Sequence, residues 1–213
     1  MMKERLQVLL AICLAMHPVL SLAQSGQAKH DKNLGDEAKR YLTSHEQQLK
    51  SATDPGERWN LLYYLAPAAL HAGDKEKAMD FAGELITLGE RLKTQPGFGP
   101  SIHGQATHIG NLVLGQLAFD KGEINKAKEH LLAAARVDGS PVLKSFGPDM
   151  MLAKDLLEKG EREVVVKYFD LCAAFWEKDN GLLADWKGVV QQNGMPDFGP
   201  HLQKGMSAWR NAH

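Results

Sequence analysis

The stretch that decides the fold covers residues 109–137 and reads IGNLVLGQLAFDKGEINKAKEHLLAAARV. Two segments with apolar residues at helical spacing flank a Lys-Gly-Glu break at Gly122. Gly115 and Ala127 are small at the positions where the two segments would lie closest. The pattern therefore predicts two antiparallel helices joined by a tight turn.

The same turn pattern recurs on both sides of this hairpin. Gly73, Gly122 and Gly160 are each followed by an acidic residue and then, four residues later, by a small or branched apolar residue. Glycine readily adopts the left-handed conformation that ends a helix, and the acid complements the positive end of the next helix. No stretch shows the sustained alternation of a β-strand. We therefore expect an all-α fold built from helical hairpins.

Start and stop signals set the expected boundaries of the helices. A capping Asp54 followed by Pro55 opens one helix, and Pro67 inside it is expected to cause a kink. Residues 138–141, Asp-Gly-Ser-Pro, are interpreted as a stop followed by a loop. The expected helices cover residues 36–50, 54–73, 74–93, 100–121, 123–137, 148–159, 161–178, 182–192 and 200–211.

A second motif, Phe-Gly-Pro, occurs at residues 98–100, 146–148 and 198–200. In one interpretation Gly makes the turn, Pro begins the next helix and Phe packs back onto the preceding pair. In the other, the three turns form a row of ligand contacts along one edge. The first interpretation is favoured because loops punctuated in this way usually mark helix starts.

The hairpin pattern resembles the tetratricopeptide repeat family. Leu114-Gly115, Ala127 and Leu131 fit the family signature, with Asn111 where an aromatic residue is usual. The flanking units match more loosely, at Leu65-Ala66, Ala78 and Ala82 and at Leu152-Ala153, Val165 and Phe169. The glycines that mark the turns are spaced more widely and less evenly than the roughly 34 residues of the standard repeat. The resemblance implies a right-handed superhelix of antiparallel helix pairs.

In that family the first helix of each pair lines a concave groove that takes a peptide. By position, the resemblance implies as groove candidates Asn60, Tyr63, Leu112, Gln116, Phe119, Met150 and Lys154. An aromatic and apolar groove with occasional amides suits an apolar peptide or an amphipathic helix. In the competing interpretation Leu112, Phe119 and Met150 belong to the core, because one apolar stripe cannot be divided into faces from sequence alone.

The beginning of the chain indicates export. Residues 1–23 have a charged opening, an apolar run and the small residues Ser21-Leu22-Ala23, which predicts a signal peptide cleaved after Ala23. The apolar run is shorter than the roughly 20 residues of a membrane-spanning helix, so no stable membrane anchor is expected after cleavage. Residues 24–35 are predicted to be a flexible N-terminus, and residues 36–213 a single helical-repeat domain. We expect a periplasmic or secreted protein.

Few residues suggest chemistry. The 25 basic and 26 acidic residues give no electrostatic footprint for nucleic acid. Cys172 lies on an inward stripe, which favours a core thiol over a nucleophile. His103 and His108 stand about 140° apart around one helix, so they cannot easily share a metal. We expect neither a metal nor a cofactor.

The sequence therefore predicts an exported, non-enzymatic scaffold that binds a protein or peptide partner. An alternative is a small-ligand binder or an enzyme with a pocket between helices near His103 and His108. A third interpretation is a structural subunit that assembles with itself through an uncapped terminal repeat.

Overall fold

The computed structural model describes residues 33–202 and 206–212. This part of the chain contains helices and no β-strand, which confirms the all-α prediction. Its helices are α1 (described over residues 33–51), α2 (Pro55–Ala72), α3 (Lys75–Leu92), α4 (Pro100–Asp120), α5 (Ile124–Ala135), α6 (Pro141–Phe146), α7 (Met151–Glu158), α8 (Arg162–Cys172) and α9 (Leu182–Gln191). Two short 3-10 helices follow, at Gly199–His201 and Ala208–Asn211.

The predicted signal peptide lies outside the described residues, as does most of the predicted flexible N-terminus. Residues 33–35 of that segment already belong to α1, and Leu34 is buried. The helical domain therefore begins earlier than expected. None of the described helices is both long enough and apolar enough to cross a membrane.

Consecutive helices pack against each other as pairs. The contacts join α2 to α3, α3 to α4, α4 to α5, α7 to α8 and α8 to α9. The predicted turns are confirmed, since Gly73, Gly122 and Gly160 have φ values of 78°, 76° and 85°, in the left-handed region. Helix α4 is central, because it also contacts α2, α6 and α7.

The acidic residues at the helix starts act in two ways. Asp54 and Asp74 cap α2 and α3, each accepting a hydrogen bond from the backbone N–H three residues further on, at 2.8 Å and 3.2 Å. Glu161 makes no such cap and instead pairs with Lys128 of α5 at 2.8 Å. This ion pair joins neighbouring hairpins across the contact between α5 and α8.

The hairpin that decides the fold packs as its small residues predict. A Cβ atom on Gly115 would lie 2.4 Å from Cδ2 of Leu152 and 3.0 Å from Cβ of His130. A larger residue here would force Leu152 and His130 to shift, so glycine favours this close approach of α4 to α5 and α7. Ala127 and Leu131 of α5 are fully buried. The packing is compatible with a helical repeat.

One predicted loop is wrong. Residues 141–146, expected to be part of a loop, form helix α6. The Ser140 hydroxyl accepts a hydrogen bond from the Leu143 N–H at 3.1 Å, and Pro141 occupies the first turn. The Ser-Pro pair that was interpreted as the end of a stop signal is thus the cap and first residue of a new helix.

Three helix boundaries also differ from the prediction. Helix α7 begins at Met151 rather than at Pro148, with Met150 as its N-cap. The Asp149 side chain, just before the cap, accepts the Met151 N–H at 2.8 Å. Helix α8 ends at Cys172 rather than at Lys178. The helix expected over residues 200–211 is replaced by the two 3-10 helices within the described residues. Helix α2 continues through Pro67 to Ala72.

Candidate functional site

An apolar pocket of about 260 Å³ lies between α2, α4 and α6. The loop that leads to α7 and the segment of residues 206–212 complete its walls. These walls are formed by Tyr63, Gln105, His108, Ile109, Val142, Leu143, Phe146, Gly147, Asp149 and Ala208. Residues that are distant in the sequence therefore meet at one place on the central helix.

The rim of the pocket carries exposed apolar side chains. Phe146 is 56% exposed and Val142 is 41% exposed. The other two phenylalanines of the Phe-Gly-Pro motif behave as the mechanical interpretation predicts: Phe198 is buried, and the ring of Phe98 packs against Gly56. The motif thus serves the fold at two of its three occurrences, and at the third it contributes Phe146 to the pocket.

His108 lines the pocket as a neutral side chain. It is buried, and its Nδ1 lies 2.8 Å from the carbonyl oxygen of Ala134. Because a carbonyl only accepts, Nδ1 carries the proton and donates it. Nε2 then accepts the Asp149 N–H, at 3.4 Å. Burial lowers the pKa of His108 to about 4, although the bond to Ala134 opposes this shift.

Asp149 is buried beside the pocket and its carboxylate is used structurally. Oδ1 accepts the Met151 N–H at 2.8 Å, and Oδ2 accepts the Met206 N–H at 3.2 Å. The Asp149 carbonyl oxygen accepts the Tyr168 hydroxyl at 2.9 Å. These bonds attach residues 206–212 to the beginning of α7 and compensate the carboxylate for its loss of water.

The pocket therefore offers apolar surface and shape rather than charge. Its volume is below the roughly 300–1,000 Å³ of pockets that hold drug-sized ligands. It is larger than a cavity of about 150 Å³, which suffices for benzene. A pocket of this size suits one large apolar side chain or a small apolar molecule.

The groove candidates from the sequence are distributed over different environments. Tyr63 lines the pocket, whereas Asn60 is exposed on α2. Leu112 and Met150 are 1% and 0% exposed, so they lie inside the core. Met150 donates its N–H to the carbonyl oxygen of His201 at 2.9 Å.

The remaining candidates lie on α4 and α7, away from the pocket. Gln116 is buried and its Nε2 donates to Oδ2 of Asp155 at 2.8 Å. Phe119 is partly buried at the margin of the core. Lys154 pairs with Glu158 along α7. Tyr63 is thus the one groove candidate among the described residues that the structure brings to the pocket.

The two histidines of the alternative hypothesis are separated. His103 lies 2.9 Å from a carboxylate oxygen of Glu90 on α3. His108 is on the other side of α4, against α5 and the pocket. Cys172 is buried, and burial raises the pKa of its thiol. Within the described ranges, no three His, Cys, Asp or Glu side chains form a group that could hold a metal ion.

Sequence reasoning missed the residues of α6 and of the last segment. Val142, Leu143 and Phe146 belong to a helix that was expected to be a loop, and Ala208 to one expected to be a longer helix. The Ser140 cap could have revealed α6, since Ser before Pro is a common helix start. No local signal places Ala208 beside α4.

Comparison with protein-family models, with curated proteins and with solved structures finds no match to this chain. The functional interpretation accordingly rests on the pocket and on the segment beside it.

Proposed function

We propose that this protein is a helical-repeat scaffold that binds a protein or peptide partner, and that the partner inserts one large apolar side chain into the pocket between α2, α4 and α6. The observation that carries the proposal is the pocket itself. It is apolar, it has the size of a side chain, and Val142 and Phe146 extend its apolar surface to the solvent.

The proposal includes the finer features that the resemblance implies. The helix pairs would stack as a right-handed, tetratricopeptide-like superhelix of unequal units. The first helices of two pairs, α2 and α4, would lie side by side on the face that takes the partner, and both contribute to the pocket. The layout of residues 1–23 supports export to the periplasm or outside the cell as part of the same proposal.

A binding role is favoured over a catalytic one because the polar groups beside the pocket are already hydrogen-bonded to the backbone. Both ring nitrogens of His108 have backbone partners. Both carboxylate oxygens of Asp149 accept backbone N–H groups. A general base needs a nitrogen or oxygen within reach of the proton it removes, and these atoms are already engaged.

The same pocket supports a second candidate function, the binding of a small uncharged molecule. The specific observation in its favour is that the pocket is apolar and larger than the roughly 150 Å³ that suffices for benzene. The two candidates differ in what lies outside the pocket. A peptide makes further contacts with the surface around the rim, whereas a small molecule is limited to the pocket.

The test is a selection of displayed random peptides on the folded protein. Burying a large apolar side chain contributes about 1.5–3 kcal/mol, which corresponds to roughly a 10- to 100-fold change in Kd. We expect Val142→Trp, which places a bulky ring at the rim, to weaken selected peptides by that factor. Val189→Trp is the matched control, because Val189 is similarly exposed on α9 and does not line the pocket.

Two outcomes contradict the proposal. In one, the folded protein selects no peptide above background. An uncharged probe such as N-phenyl-1-naphthylamine binds to the wild-type protein but not to Val142→Trp, and the small-ligand function then takes precedence. In the other, peptides are selected but Val142→Trp and Val189→Trp affect them equally, so the pocket is not the binding site.

A further inference from the structure

The segment of residues 206–212, here called the strap, crosses one edge of the pocket. At one end the Met206 N–H is bound to the carboxylate of Asp149, before α7. At the other end Trp209 packs against α1 and α2, where it is buried with Leu34, Ala38 and Ala68. Ala208 lies between these anchors and lines the pocket. The strap therefore joins the beginning of α7 to the first two helices.

The aromatic anchor of the strap is independent of the main core. Trp209 is 2% exposed and belongs to a separate small apolar cluster. Its Nε1 donates to the carbonyl oxygen of Met206 at 3.2 Å, within the strap itself. Arg210 pairs with Glu37 of α1 at 2.9 Å, but both side chains are partly exposed, so water and salt screen the pair. Met206, by contrast, is fully buried within the main core. Residues 207–212 can therefore open locally beyond Met206 while the helices stay folded.

The strap fills its place incompletely. On one side lies the pocket of about 260 Å³, to which Ala208 can offer only a methyl group. On the other side, a mostly polar cleft of about 640 Å³, open to solvent, lies between α1 and the strap, with Arg40 and Tyr41 among its walls. Protein interiors are normally close-packed, with few voids larger than a water molecule. The apolar pocket, unlike the open cleft, is therefore space that the strap leaves unfilled.

We propose that the strap is a resident competitor for the partner, an inference that rests on the function proposed above. The partner is a peptide segment that takes the strap's place and reproduces its anchors, with an aromatic residue at the position of Trp209 and a basic residue at that of Arg210. At the position of Ala208 it carries a large apolar residue, which fills the pocket that the strap leaves empty. The partner thus gains its advantage over the strap from the pocket.

The experiment uses the full chain and two labelled peptides. One peptide has the sequence of residues 206–212, and the other carries the substitution Ala208→Leu. Fluorescence anisotropy measures their binding to the wild-type protein, to Trp209→Ala and to Arg210→Ala. Hydrogen exchange read by mass spectrometry follows the chain's own strap and, for reference, helix α4, in the presence and absence of peptide.

Three results are expected. The Ala208→Leu peptide binds about tenfold or more tightly than the unaltered peptide, because each additional buried CH₂ group favours binding. Trp209→Ala binds this peptide at least about tenfold more tightly than the wild type does, since the competitor has lost its anchor. Adding the peptide to the wild-type protein accelerates exchange in the strap and leaves α4 unchanged.

The inference is overturned if the Ala208→Leu peptide binds no more tightly than the unaltered one, or if it binds while exchange in the strap stays slow. It is also overturned if a folded Trp209→Ala protein shows no gain. If circular dichroism shows that Trp209→Ala does not fold, Arg210→Ala takes its place in the binding measurement. The exchange measurement on the wild-type protein then provides the second test. Selected peptides whose binding is weakened by Val142→Trp but not changed by the strap substitutions would contradict the role of the strap as a competitor. The proposed function would still stand.

Discussion

Protonation of His108 is expected to destabilise the fold at mildly acidic pH. Burial lowers the pKa of this ring from 6.5 to about 4. The unfolded chain therefore binds a proton at a higher pH than the folded protein does, and unfolding takes up a proton between these values. The stability that the folded protein owes to a neutral His108 is present in full above pH 6.5. It is lost as the pH falls towards 4. A shift of about 2.5 units corresponds to about 3 kcal/mol.

The assay is urea unfolding followed by circular dichroism at pH 7, 6, 5 and 4. His108→Gln retains an N–H donor and an oxygen acceptor but cannot titrate. Between pH 7 and pH 4 the unfolding free energy of the wild type should fall by about 3 kcal/mol more than that of His108→Gln. Parallel loss of stability in the wild type and His108→Gln would refute the reasoning.

The remaining predictions concern packing. Gly83→Ala should raise the free energy of unfolding by up to about 1 kcal/mol, since its Cβ meets nothing within 4 Å in a helix interior. Gly104→Ala should lower it by about 1–3 kcal/mol, because its Cβ would lie 2.7 Å from the carbonyl oxygen of Gly139. Thermal unfolding measures both, and a Gly104→Ala protein as stable as Gly83→Ala contradicts the close helix approach. Alkylation of Cys172 by iodoacetamide, read by peptide mapping, should require unfolding and follow the circular dichroism transition, because the thiol is buried; rapid labelling in buffer contradicts this. Phe146→Ala should change the unfolding free energy by no more than about 0.5 kcal/mol, since the ring is mostly exposed, and a loss of several kcal/mol in urea unfolding contradicts a rim position.

The hairpins could be predicted from the sequence because their signals are local. The glycine that ends one helix and the acid that begins the next lie side by side at Gly73, Gly122 and Gly160. The structure gives all three glycines the expected left-handed conformation. The small residue Gly115 likewise indicated the close approach of α4 to its neighbours. Short-range geometry of this kind does not depend on the rest of the chain.

The pocket could not be predicted because its walls are assembled by tertiary packing. Tyr63, Ile109 and Ala208 belong to three segments that are far apart in the sequence. The neutral state of His108 depends on the carbonyl oxygen of Ala134 and on burial, neither of which a sequence pattern reveals. Apolar spacing also failed to separate the core from the surface, as the burial of Leu112 shows.

The most direct test of the proposed binding mode is methyl NMR of the folded protein during titration with a selected peptide that carries one aromatic residue. If that side chain enters the pocket, ring-current shifts appear at the methyl groups of Ile109 and Leu143, while those of Leu85, buried in α3, stay unchanged. The same titration of Val142→Trp shows these shifts only at much higher peptide concentration. Tight binding that leaves the Ile109 and Leu143 methyl groups unperturbed contradicts the account.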